Sequence, residues 1–492
     1  MDDEERIIPR FGRQNFKKIL DDDERIIPRF GRQNFKKILD DDERIILDLA
    51  DKILKKFWMT MSEAKGRKIM QVIENLKVKE KLYTEKLENG LTVMIIPKKG
   101  IQKKYIIWGT NYGSNDSTFI VPGETKITEV PKGVAHFLEH KMFEQENGKN
   151  SLDVLTALGV NANAYTTNNH TAYLYECTDN FYEALDEFMD YVQHPYFTDE
   201  NVEKEKGIIG QEIMMYDDYP DWKVYLNALE CMYHKNPVKL DITGTVETIS
   251  HIDKEILYKC YNTFYNPSNM AMVISGDFEP EKLLEEIKKR LIDKKANGEI
   301  KRIFEDEPKE IVKEKVVQNM EVSQPLYAIG IKDVPAEQKE KVKKHISIEV
   351  LLNLLIGASS ELYKELYDMG NCYSTPSIEY EFDKNYAHIL IIGQSTEPEK
   401  LYNMFKEEVR KFIKNGVNEK DFERIKKMIY GEYVKEYDDV VNISRMFLSD
   451  YFKGINSFDY LEEINTINVE YLNQVLKDVF NEKNMILSVV KN

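Results

Sequence analysis

A stretch in the middle of the chain recurs near its end, and this repetition constrains the fold more than any other feature. Ile249–Ile274 aligns without a gap to Ile464–Val489. Ile249/Ile464, Ile252/Ile467, Glu255/Glu470, Leu257/Leu472, Asn266/Asn481, Asn269/Asn484 and Met270/Met485 are identical. Each copy reads as a helix, a short Asn-containing loop and a strand. The two stretches read as an internal repeat within a chain for which two to four domains are expected. The length, 492 residues, also exceeds what one ordinary core accommodates. Between the copies, Ala296–Gln318 is dense in Lys and Glu and reads as an inter-domain linker.

The start of the chain follows different rules. Asp2–Leu20 returns as Asp21–Leu39 with a single Glu-to-Asp change, and Asp40–Ile46 begins a third copy. Each full unit carries a Pro, a Gly and many charges, which oppose a long helix and favour solvation. Ile46, Leu49, Ile53 and Phe57 then fall at helical spacing. Met70 opens what reads like an ordinary domain start, so residues 1–69 are expected to be a disordered or partly helical extension left by the choice of start site.

Composition excludes several classes of function. A net charge of −17 opposes binding to a phosphate backbone, which needs a basic surface. Cys177, Cys231, Cys260 and Cys372 are far apart and form no C-x-x-C pair, as free thiols in a reducing compartment would. No apolar run reaches membrane-span length and no signal-peptide core is present, so a soluble, cytoplasmic protein is expected.

The chemistry is concentrated in His136-Phe137-Leu138-Glu139-His140. Residues four apart share a helix face, so His136 and His140 can direct two imidazoles at one ion. Two His and a carboxylate are a usual protein ligand set for a catalytic zinc, and Glu139 adjoins the second ligand where a general base is needed. This is the H-x-x-E-H order, the inverse of H-E-x-x-H. With 8 His in the chain, two histidines at this spacing beside a Glu are an infrequent coincidence.

Leu91–Ile96 and Lys104–Asn111 read as strands around a Pro97–Gly100 turn, with the metal helix following over about Gly133–Glu144. Gly159–Thr167 reads as a loop entering the strand Ala172–Cys177, and as a candidate edge for gripping an extended peptide. Asp199–Asp218 reads as a long helix carrying Glu203, Glu205 and Glu212. Glu205 and Glu212 are two turns apart on one face, and spacing alone does not choose the third ligand between them.

Three stretches, GVAHFLEHKMFE, NANAYTTNNHTAYLYE and HPYFTDENVEKEKGIIGQEI, together resemble the insulinase/pitrilysin family of zinc metallopeptidases. EKEKGIIGQEIMMYDDYPDW and PVKLDITGTVETISHI are most similar to its bacterial YmfH-type members, and the resemblance runs from about residue 75 to the end. It implies an α+β chain of two homologous α/β sandwich domains of the mitochondrial-processing-peptidase-like type, arranged as a clam-shell half. Residues 70–295 would be the zinc-binding catalytic domain, 296–318 the linker and 319–492 a homologous domain without metal. It also implies one zinc per chain held by His136, His140 and Glu212, with Glu139 as base and Glu205 orienting the site. Asn163 and Ala164 match the family's substrate-strand motif.

Active partners in the family offer an Arg and a Tyr in the second domain. Here Tyr373 matches the Tyr, while no Arg occurs between Arg302 and Arg410. The expectation is a zinc endopeptidase for peptides or small unstructured proteins that works with a homologous subunit supplying the Arg–Tyr pair, or as a homodimer. The alternatives are a non-catalytic structural or assembly subunit, or a dedicated accessory factor for processing or modifying one protein.

Overall fold

The structure, a computed structural model, describes residues 70–492. The repeats before Met70 and the helix expected around Ile46–Phe57 lie outside the described residues. The first domain is built on seven strands: β1 (Gln71–Asn75), β2 (Glu80–Lys86), β3 (Thr92–Pro97), β4 (Lys104–Thr110), β7 (Asn161–Thr166), β8 (Thr171–Cys177) and β9 (Met270–Gly276). Their order across the sheet is β1-β2-β3-β9-β4-β8-β7. Short strands β5 (Thr118–Ile120) and β6 (Ile127–Glu129) form a separate three-stranded sheet with β10 (Lys301–Arg302). The second domain contains β11 (Lys315–Asn319), β12 (Leu326–Asp333), β13 (Ser377–Phe382), β14 (Ala387–Gln394) and β15 (Met485–Lys491), ordered β11-β15-β12-β14-β13.

The two sheets share one plan. β3 lies parallel to β9 and β11 parallel to β15, and every pairing from there to the far edge is antiparallel. The repeated stretch seen in the sequence ends in β9 and β15, the same strand of each sheet. Both are buried along almost their whole length, which explains why they read as continuous apolar runs rather than alternating ones. Gly159–Thr167, expected as a loop, instead contains strand β7, because pairing with β8 outweighs the weak strand preference of Asn and Ala. Ala296–Gln318 is likewise no bare tether. It supplies β10 to the first domain and most of β11 to the second.

Each sheet has one face covered by a helix from the opposite domain. Helices are numbered from α1 (Val134–Lys141), α2 (Ser151–Ala157), α3 (Phe181–Gln193) and α4 (Asp199–Asp217) to α5 (Pro220–Met232), α6 (Val246–Ser250), α7 (Lys254–Phe264) and α8 (Pro280–Arg290). The second domain adds α9 (Lys341–Leu355), α10 (Glu361–Asp368), α11 (Pro398–Asn415), α12 (Glu419–Glu436), α13 (Val440–Lys453), α14 (Asp459–Glu463) and α15 (Val469–Val479). Val224, Leu229 and Met232 of α5 pack on Leu326, Ala328, Leu390 and Ile486 of the second sheet. Reciprocally, Val440, Ile443, Phe447, Leu448 and Phe452 of α13 pack on Met94, Ile107, Ala172 and Val273 of the first.

The same glycine admits the helix in both halves. Gly109 lies opposite Ala271, and Gly330 opposite Ile486, which are equivalent residues of the repeat. A Cβ on Gly109 would stand 2.9 Å from Leu448 and Phe452, and one on Gly330 2.9 Å from Met232. A glycine in a strand commonly marks such a close approach.

Glu307 fastens the connection between the domains. Its carboxylate accepts from the amides of His234 (2.9 Å), Lys235 (2.7 Å) and Asn236 (2.7 Å) and from Lys332 Nζ (2.6 Å). Burial raises its pKa, but Lys332 and the three amides outweigh burial and bring it down to about 2. Lys332 itself is lowered by burial that Glu307 only partly offsets. A depressed carboxylate contributes stability above its unfolded value, and loses it as pH falls through its folded value. Glu307→Gln is therefore expected to lower stability at pH 7 by about 2–3 kcal/mol. The difference from the parent should shrink between pH 4.5 and about 2, read by urea unfolding across that range. A deficit independent of pH would contradict this account.

All four cysteines are buried and free. No helix among the described residues is long and apolar enough to cross a membrane.

Candidate metal centre

Helix α1 begins where only glycine fits. Gly133 caps it at φ +91°, and a Cβ there would stand 2.4 Å from the carbonyl oxygen of Thr243. From that start the helix directs His136 and His140, one turn apart, towards α4. Helix α4 is fixed at its own start by a capping box between Thr198 and Asn201, and carries Glu205 and Glu212 on the facing side.

His136, His140 and Glu212 each offer a ligand atom, all within 4.8 Å of one another. His136 Nε2 is 3.8 Å from Glu212 Oε1, and His140 Nε2 is 3.7 Å from Glu212 Oε2. Glu205 faces the other edge of His140, with Nδ1 3.1 Å from Oε1. That contact leaves Nε2 of His140 directed at the shared centre, the arrangement by which a carboxylate fixes the tautomer of a metal-binding imidazole. Glu205 Oε2 lies 3.5 Å from Lys141, which also pairs with Glu144. His136 Nδ1 is buried without a hydrogen-bond partner.

The electrostatics follow from this packing. Burial, reinforced by His140, lowers His136 to about 3 and keeps its ring neutral. Burial also opposes charge on His140, but Glu205, Glu139 and Glu212 outweigh it and raise its pKa. Glu205 is raised by burial and brought below the usual carboxylate value by His140 and Lys141. Burial raises Glu212 and Glu139, the latter opposed by a hydrogen bond from Thr166. Two imidazoles and a carboxylate converging on one point are the donor chemistry of a catalytic zinc, and the residues present fit such an ion.

Glu139 is buried beside the donors and accepts from Thr166 Oγ1 at 2.8 Å. Asn163 and Ala164 lie on β7, the terminal strand of the sheet, where Asn163 Oδ1 accepts from the Ala164 amide at 2.9 Å. Tyr373 stands apart. It is exposed in the loop after α10, with its hydroxyl beside Gly370, and makes no hydrogen bond to these residues. Sequence reasoning overlooked Thr166 and Lys141. The period of two along a strand, which puts Ala164 and Thr166 on one face, could have revealed Thr166 had the segment been read as a strand.

Comparison with known proteins gives the family. The profile of the domain described as Insulinase (Peptidase family M16) matches residues 120–246, and that of the Peptidase M16 inactive domain matches residues 251–429. The chain is 37% identical over 417 residues to the uncharacterized zinc protease YmfH of Bacillus subtilis, covering 83% of this chain and 96% of that protein. The chain belongs to the insulinase family of peptidases, M16. Within that family it is also 23% identical over 376 residues to the B. subtilis zinc protease YmxG, covering 74% of this chain and 90% of the relative. A solved M16-like peptidase structure from Alicyclobacillus acidocaldarius superposes with a TM-score of 0.81 at 32% identity, covering 85% of this chain and 99% of that one. The M16 zinc-protease relatives place zinc in the family, and His136, His140 and Glu212 fall in the segment matched by the Insulinase profile.

Proposed function

We propose that this M16 chain is a zinc-dependent endopeptidase for peptides or small unstructured proteins, holding one zinc on His136, His140 and Glu212. The observation that carries the reading is the convergence of those three donors beside a buried, hydrogen-bonded Glu139, next to a strand edge left unpaired among the described residues. Zinc bound there supplies Lewis acidity and acidifies water towards neutrality. Glu139 takes the proton of the attacking water on its oxygen not engaged by Thr166, and passes it to the leaving amine. β7 receives the peptide as an added strand, with Asn163 and Ala164 at its open edge. Glu205 keeps His140 in the tautomer that leaves Nε2 free.

The second domain offers no second centre, since among the described residues no donor group other than His136, His140 and Glu212 converges. Its segment aligned with the family's Arg–Tyr pair presents Tyr367, Met369 and Tyr373 to solvent without an Arg. Lys is a poor replacement for the fixed paired donors of a guanidinium. We therefore assign that function to a homologous partner subunit. The intact donor set and base argue against a purely structural role, which requires none of them.

The purified protein is expected to hold about one zinc per chain, and His140→Ala to lose most of it, since two remaining donors hold the ion poorly. Metal analysis together with cleavage of an unstructured peptide, with and without a co-expressed homologue, tests the reading. Full zinc occupancy in His140→Ala would overturn the site. Brisk cleavage by the isolated chain, unchanged on adding the homologue, would overturn the partner assignment.

A further inference from the structure

Strand β7 carries two separate connections on its two faces, one to Glu139 and one to the second domain. Thr167 N donates to the carbonyl of His170 at 2.8 Å and closes the β7–β8 hairpin. In an antiparallel pair the bonded positions alternate. With Thr166 opposite Thr171 and Tyr165 opposite Ala172, the backbone N–H and C=O of Thr166 and Ala164 point away from β8 to the open edge. The outward amide of Ala164 is covered by the Asn163 side chain, which shields the edge until another strand displaces it. Thr166 thus offers its backbone to an incoming strand while its hydroxyl donates to Glu139 Oε2 at 2.8 Å. Thr171 Oγ1 lies 3.3 Å from the same hydroxyl and itself donates to the Tyr112 carbonyl at 2.9 Å.

The opposite face of β7 is braced by the second domain. The Arg445 guanidinium of α13 lies over the Tyr165 ring, 5.4 Å from its centre, and Arg445 Nε donates to the Tyr105 hydroxyl at 3.0 Å. The strand is therefore held from behind while its front residue grips the base.

We propose that Thr166 is a positioning residue that couples occupation of the β7 edge to the orientation of Glu139. This inference rests on the peptidase reading. With one carboxylate oxygen held by Thr166, the other is presented to water, and a strand docked on the Thr166 backbone fixes that hydroxyl in turn. A hydroxyl is needed and a methyl is not, so the two halves of the threonine side chain can be separated by substitution.

The test uses zinc-loaded full-length protein with Thr166→Val and Thr166→Ser. Valine keeps the shape and loses the donor, and serine keeps the donor. Thr166→Val is expected to lower kcat roughly 10- to 100-fold with KM within about twofold and zinc content unchanged, while Thr166→Ser stays within about threefold of the parent. A merely structural role would impair both variants alike or move KM and zinc content. A parental kcat in Thr166→Val, or equal loss in both variants, would overturn the coupling. A crystal structure of zinc-loaded Thr166→Val adds a readout that needs no turnover: a turned Glu139 carboxylate supports the proposal, and an unmoved one overturns it. An inert parent would instead count against the peptidase reading, so the two failures are distinguishable.

Discussion

Glu139→Gln is expected to keep its zinc and lose peptide hydrolysis by on the order of a thousandfold. Glu139 is absent from the converging donor set, so metal retention should be unaffected. The amide oxygen can still accept from Thr166, which preserves packing in a position only 7% exposed to solvent. What the amide cannot do is take a proton from water. Metal analysis and steady-state turnover on the same preparation separate the two properties. Parental hydrolysis by Glu139→Gln would remove Glu139 from the role of base, and joint loss of zinc and activity would show that it also holds the metal.

The second large effect concerns folding. Severing the chain within the linker should leave neither half able to fold alone. The first sheet would lose its cover of Val440, Ile443, Phe447, Leu448 and Phe452. Each such side chain contributes about 1.5–3 kcal/mol on burial, so their sum is comparable to the roughly 5–15 kcal/mol stability of a typical domain. The second sheet would similarly lose Val224, Leu229 and Met232, and gain an exposed apolar face. Expressed separately, residues 70–302 and 303–492 are expected to aggregate or melt without cooperativity, and co-expressed they should reassemble into one particle. A cooperative melt from either half alone would show that the exchanged helices are dispensable.

The pairing of His136 and His140 was legible in the sequence because its geometry is local. One helical turn separates His136 from His140, and no distant residue is needed to put them on one face. The repeat was legible for a related reason. Identities such as Asn266/Asn481 and Met270/Met485 mark equivalent helix–loop–strand units, and these emerged at the equivalent central strands β9 and β15.

The third donor was not legible from spacing, since Glu205 and Glu212 share a helix face. The packing of α4 against α1 separates them, placing Glu205 at Nδ1 of His140 and Glu212 near Nε2 of both histidines. Strand β7 escaped the residue pattern because Asn and Ala favour neither a strand nor a core, and only pairing with β8 makes the segment extended. The exchange of α5 and α13 was hidden for the most general reason. An amphipathic stripe shows that a helix must be covered, whereas the choice of covering sheet depends on contacts between residues hundreds of positions apart. Sequence alone determined the face that His136 and His140 share and the duplicated plan. Tertiary structure decided which carboxylate meets the histidines, which strand is left open beside them, and that each domain completes the core of the other.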